Sequence, residues 1–117
     1  MTEKKEKHIK AKPSFYAYCF KPLKEIAKKY GYNLVMHGSL DRDFDLIAIG
    51  WVENLKDDFK MIQEMDMFLN GKQAERKEDY GFSVIPPNRN SYVINLNRGG
   101  HWNNYEDEQW YVDISVI

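Results

Sequence analysis

Two short runs of this chain are apolar enough to be buried strands, yet each carries aspartate. They are DFDLIAIGW, starting at Asp43, and the C-terminal WYVDISVI around Asp113. An apolar run of this length closed by turn residues reads as a mostly buried strand. Successive side chains of a strand alternate, so Asp43 and Asp45 fall on one face, about 7 Å apart. In the last run Trp110, Val112, Ile114 and Val116 share one face, and Tyr111, Asp113, Ser115 and Ile117 share the other. Aspartate is disfavoured in mid-strand, and neighbouring carboxylates repel and are costly to bury unpaired. Something cationic must therefore hold them. If the two strands lie side by side, three carboxylates converge.

The remaining pattern supplies the layers around these strands. Residues 1–13 are polar and basic, with five Lys against two Glu, and read as a flexible tail or, as the alternative, an arm that contacts nucleic acid. A helix is expected from an N-cap at Ser14, with Phe15, Tyr18 and Cys19 on one face. Pro22 predicts a break, because proline lacks a donor and clashes with the preceding turn. A second helix then carries Leu23, Ile26, Ala27 and Tyr30 and stops at Gly31. Tyr32–His37 is extended and turns at Gly38-Ser39. Leu55 to Leu69 has helical period through Phe59, Ile62, Met65 or Met67, and ends at Asn70-Gly71. Residues 72–80 read as a charged loop or helix extension. Strands are expected at Phe82–Ile85, Ser91–Asn97 and Gln109–Ile117. The order α-α-β-β-α-β-β-β predicts one α+β domain over residues 14–117, a small mixed sheet with two or three helices.

Composition excludes several classes of function. At 117 residues there is room for one core. No apolar run approaches the ~18 residues of a helical membrane span, and the polar N-terminus does not resemble a secretory signal. Cytoplasmic placement is the expectation. The single Cys19 forms no internal disulfide, and three scattered histidines show no zinc spacing. A net charge of −1 argues against a dedicated binder of nucleic-acid backbone. Walker, Rossmann and nucleophile-elbow motifs are absent, and the strands expected after Asp45 offer no Asp/Glu-x-Lys of the kind metal-dependent nucleases need.

What is left is the carboxylate set. Asp43, Asp45 and Asp113 are candidate ligands for Mg²⁺ or Mn²⁺, since hard cations take oxygen donors and Mg²⁺ favours one or two carboxylates plus substrate phosphates. Three carboxylates suffice to clamp two metals for phosphoryl transfer. Gly38 and Ser39 offer backbone N–H groups and a hydroxyl to a phosphate. His37, Arg42 and Arg89 are candidate substrate contacts. Each has a plainer reading: the aspartates as turn or strand-edge residues paired with Arg42, Arg98 or a Lys, His37 as a structural histidine, Arg89 as a solvated loop residue. Trp51, Tyr80, Trp102 and Tyr105 fall at element ends and loops, where they could stack on a base or cover a partner. Cys19 reads as a small buried hydrophobe.

A strand ending in Gly38-Ser39, an Asp43-x-Asp45 pair opening the next strand and a single Asp113 on a later strand resemble the nucleotidyltransferase superfamily, in its minimal single-domain branch. The run HGSLDRDFDLIAIGW with a terminal YVDISV is also similar to small bacteriophage-encoded proteins. The superfamily resemblance implies that Gly38 and Ser39 hold a nucleoside triphosphate. It also implies that Asp43 and Asp45 bind Mg²⁺ and that Asp113 helps activate the attacking hydroxyl. The match departs at one point: only Leu40, Asp41 and Arg42 separate Ser39 from Asp43, too few for a phosphate-cradling helix. Two functions follow as expectations. One is metal-dependent nucleotidyl transfer to an unidentified acceptor. The other is a catalytically inactive module of the same fold that binds a nucleotide, a nucleic acid or a protein.

Overall fold

The computed structural model describes residues 2–38, 43–96 and 111–117, with side chains for 16–38, 44–96 and 112–117. Helix α1 (Thr2–Lys29) leads into strand β1 (Tyr32–His37) and strand β2 (Asp43–Gly50). Helix α2 (Asp58–Asn70) and a 3-10 turn (Lys77–Tyr80) follow, then strands β3 (Ser83–Ile85), β4 (Arg89–Asn95) and β5 (Tyr111–Val116). The five strands form one mixed sheet in the order β1-β2-β5-β4-β3. Only β2 and β5 run parallel; the other three pairs are antiparallel. The α+β class and the mixed sheet agree with the sequence pattern.

Period-two alternation gives this sheet two different faces. Leu34, Phe44, Leu46, Ala48, Tyr92, Ile94, Val112, Ile114 and Val116 are buried. They pack under Tyr16, Cys19, Leu23 and Ala27 of α1 and Met61, Ile62, Met65 and Leu69 of α2. Tyr16 stacks on Phe44 with ring centroids 4.7 Å apart. Burial of these side chains is the main driving force, at about 1.5–3 kcal/mol for each large apolar group. The residues between them in sequence, Val35, Asp45, Ile47, Asp113 and Ser115, are only half-buried and belong to the other face. Cys19 is a core hydrophobe as expected, and burial pushes its thiol up to about 11.

Helix boundaries differ from the sequence reading in three places. Residues 2–13, expected as a tail, are helical backbone within α1, consistent with the high helix propensity of Ala, Glu and Lys. Pro22 lies inside the same helix and does not break it. The carbonyl it orphans belongs to Tyr18, whose side chain is 79% exposed, so that turn faces water. Fully buried Leu23 and Ala27 on the next turns hold the helix down across the defect. Gly31 ends this region with φ +91, as expected. Helix α2 starts later than expected: Asp57 caps it by accepting from the Phe59 N–H at 2.9 Å, and Gly71 closes it in the left-handed conformation. Leu55 therefore precedes the helix, and its side chain lies against Gly31 and Gly50.

Candidate functional site

The strand register assembles a row of polar residues across the half-buried face. His37 of β1 pairs with Asp45 of β2, Asp45 pairs with Asp113 of β5, and Asp113 pairs with Val93 of β4. Neighbouring strands lie about 4.8 Å apart, so the two aspartates are adjacent on one face. Their residues are flanked fore and aft by core positions Phe44, Leu46, Val112 and Ile114, which seat both strands rigidly on the helices. The condition set by the sequence, that β2 and β5 be neighbours, holds and puts Asp45 and Asp113 in register. Asp43 pairs with Tyr111 in the backbone, and its side chain lies outside the described residues. Neither Asp45 nor Asp113 is without a partner.

Gly38 completes this end of the sheet. Its φ of +91 is one that residues with a Cβ rarely adopt. A Cβ there would also sit 2.9 Å from Asp45 Oδ2. Glycine thus lets the backbone following His37 approach the Asp45 carboxylate closely. Ser39 and Arg42 lie outside the described residues, so their expected roles are neither brought to the row nor removed from it. Arg89 is exposed at the start of β4, four residues from Val93, which puts it about 13 Å along the strand from the row. It is not brought together with the aspartates.

The aromatic candidates divide. Tyr80 is a correction: in place of the exposed stacking residue expected from its position, it is 1% exposed. Its hydroxyl donates to Asp66 Oδ2 at 2.7 Å and accepts from the Ala74 N–H at 2.9 Å. Trp51 is 61% exposed just after β2, as its position suggested. Trp102 and Tyr105 lie outside the described residues.

The structure adds acidic residues that the sequence pattern did not single out. Asp66 is completely buried on α2 and accepts from Tyr80 and, at 2.7 Å, from Asn70 Nδ2. A buried charge survives only with such donors. Asp58 accepts from Asn90 Nδ2 at 2.7 Å and from the Tyr92 hydroxyl at 3.1 Å. Burial first, and then the Asp58 charge, raise the Tyr92 hydroxyl well above its usual range. Glu64 pairs with Lys29 and accepts from the Tyr30 hydroxyl at 2.8 Å. Asp66 sits at a helical position facing the core, within the stripe Ile62, Met65 and Leu69, and that was the one readable sign of it.

Among the described residues, no group of three or more His, Cys, Asp or Glu side chains is placed to hold a metal. The donor chemistry of Asp45 and Asp113 nonetheless suits a hard cation, since two adjacent carboxylates are what Mg²⁺ takes from a protein when phosphate supplies further oxygens. Among the described residues no helix is long and apolar enough to cross a membrane. No known family model, curated protein or solved structure matches the chain. The likeness to nucleotidyltransferases therefore rests on the motif residues themselves.

Proposed function

We propose that this protein uses the Asp45–Asp113 pair, with Asp43, to hold Mg²⁺ or Mn²⁺ against the phosphates of a nucleoside triphosphate, for nucleotidyl transfer. The observation that supports this reading is the direct pairing of Asp45 with Asp113 across the parallel strands, with Gly38 closed down on the Asp45 carboxylate. Two carboxylates in register on a rigid sheet offer oxygen donors that a hard cation takes, beside the partners each already has. The bound ion would neutralise phosphate charge. Asp45 and Asp113 would fix its position through strands that cannot shift without disturbing the core. Gly38 would let the backbone close on the Asp45 carboxylate, and His37, exposed and in register with Asp45, would donate a hydrogen bond to a phosphate oxygen.

One observation favours the second reading, a binding module without catalysis. His37 pairs with Asp45, so β1 and β2 form an antiparallel hairpin joined by residues 38–42. That connection is too short for a helix whose N-terminus could cradle a triphosphate.

Calorimetry separates the two. Transfer chemistry requires Mn²⁺ binding that tightens with a nucleoside triphosphate and disappears in Asp45→Asn. Pyrophosphate release would then identify turnover across a panel of acceptors. Triphosphate binding that ignores Mn²⁺ and survives Asp45→Asn supports the binding module. A folded protein that takes up neither ligand overturns nucleotidyl transfer and the nucleotide-binding form of the second reading.

A further inference from the structure

The net charge of −1 conceals a strong separation of charge along the chain. The α1 segment, Thr2–Lys29, contains nine Lys and three Glu, or +6. The remaining residues carry eight Lys and Arg against fifteen Asp and Glu, or −7. The sum speaks against a nucleic-acid partner, but binding depends on the local field. On the described part of α1, Lys29 is neutralised by Glu64, but Lys21, Lys24 and Lys28 form no ion pair among the described residues. Their spacing of three and four places them on one side of the helix.

That side of α1 opens onto a groove of about 280 Å³ beside the edge strand β1, lined by Lys24, Lys28, Tyr32, Asn33 and Trp51. The Trp51 indole is exposed, while its backbone is pinned by a hydrogen bond from its N–H to the Gly31 carbonyl at 3.1 Å. The Lys24 ammonium lies 3.5 Å from Asn33 Oδ1, so a charged donor and a side-chain amide meet at the groove wall. Trp51 is six residues beyond Asp45, about 20 Å along the strand direction, so this groove is separate from the carboxylate row. An exposed indole on a fixed backbone offers a stacking surface for a flat ring, and lysines beside it suit the phosphate attached to that ring. An acidic peptide would satisfy the lysines but leave the indole unused. Duplex would satisfy them too, with its bases unavailable to stack.

We propose that the Trp51 groove and the lysine side of α1 bind single-stranded nucleic acid, with one base stacked on Trp51 and its neighbouring phosphates held by Lys24 and Lys28. The proposal does not rest on the carboxylate reading, because it concerns binding at a different end of the sheet. Fluorescence anisotropy of the full chain with a labelled twelve-residue oligothymidylate, over a series of salt concentrations, tests it. Trp51→Ala should weaken binding at least about fivefold, the low end of what stacking one base contributes. Trp51→Phe should restore most of the loss. Lys24→Ala combined with Lys28→Ala should lower the slope of log affinity against log salt by about 1.4, at ~0.7 for each phosphate of a single strand that is no longer neutralised. The proposal is overturned if the folded protein does not bind the oligonucleotide at low salt, or if Trp51→Ala and the Lys24→Ala, Lys28→Ala double variant bind as the parent does. Equal affinity for a duplex of the same length or for polyglutamate also overturns it.

Discussion

The protein treats its aspartates in two opposite ways, and the contrast separates scaffold from site. Asp66 is fully buried on α2 and accepts hydrogen bonds from the Tyr80 hydroxyl and the Asn70 amide. Asp45 and Asp113 are half-buried on the sheet face away from the core, side by side in register across β2 and β5. The first arrangement satisfies a charge by hydrogen bonding and ties α2 to the 3-10 turn. The second sets two carboxylates in register on rigid strands, on the face where we propose a ligand binds. Burial alone would have ranked these residues in the wrong order of interest.

Breaking the scaffold side of the contrast should have the largest effect. Asp66→Ala strips Tyr80 and Asn70 of a buried acceptor and should cost about 3 kcal/mol. Thermal unfolding should show a drop in Tm of more than about 10 °C for a domain of this size. Gly38→Ala tests the junction between loop and carboxylate. A methyl group there meets φ +91 and the Asp45 Oδ2 atom together, and should cost about 1–2 kcal/mol by chemical denaturation. It should also weaken metal binding, because Asp45 must move. Lys29→Ala addresses a third kind of carboxylate, the half-buried Glu64. Such pairs contribute about 0.2–1 kcal/mol. The hydrogen bond from Lys29 holds Glu64 below its usual range against the opposing effect of burial, with the Tyr30 hydroxyl assisting. A depressed carboxyl stabilises the fold above its unfolded pKa and loses that contribution as pH falls through the folded value. The difference between parent and Lys29→Ala should therefore be present at neutral pH and shrink on acidification below about pH 4.5.

The sheet was largely legible in the sequence. Strands β1 and β2 begin at the residues expected, because apolar alternation and the flanking Gly31, Gly38 and Gly50 punctuate them sharply. The pairing of Asp45 with Asp113 was legible only as a condition, since nothing local says which strands are neighbours. The long α1 was not legible, because Pro22 carries a strong local penalty and its compensation, burial of Leu23 and Ala27, comes from packing across the fold. Asp66 and Tyr80 were hidden for a similar reason: they are fourteen residues apart and acquire meaning only from each other. The charge of α1 was fully present in the sequence and disappears when summed over the whole chain.

The central claim is that Asp45 and Asp113 serve a ligand while Asp66 serves the fold. Thermal unfolding of the parent, of Asp45→Asn with Asp113→Asn, and of Asp66→Asn, each with and without Mn²⁺ and a nucleoside triphosphate, tests it directly. The account predicts that the parent's Tm rises with ligand, as binding to the native state requires. The double variant should melt within a few degrees of the parent and lose that rise, and Asp66→Asn should melt lower yet keep it. A double variant that melts as low as Asp66→Asn, beside a parent whose Tm ignores metal and triphosphate, would contradict the account and make all three aspartates structural.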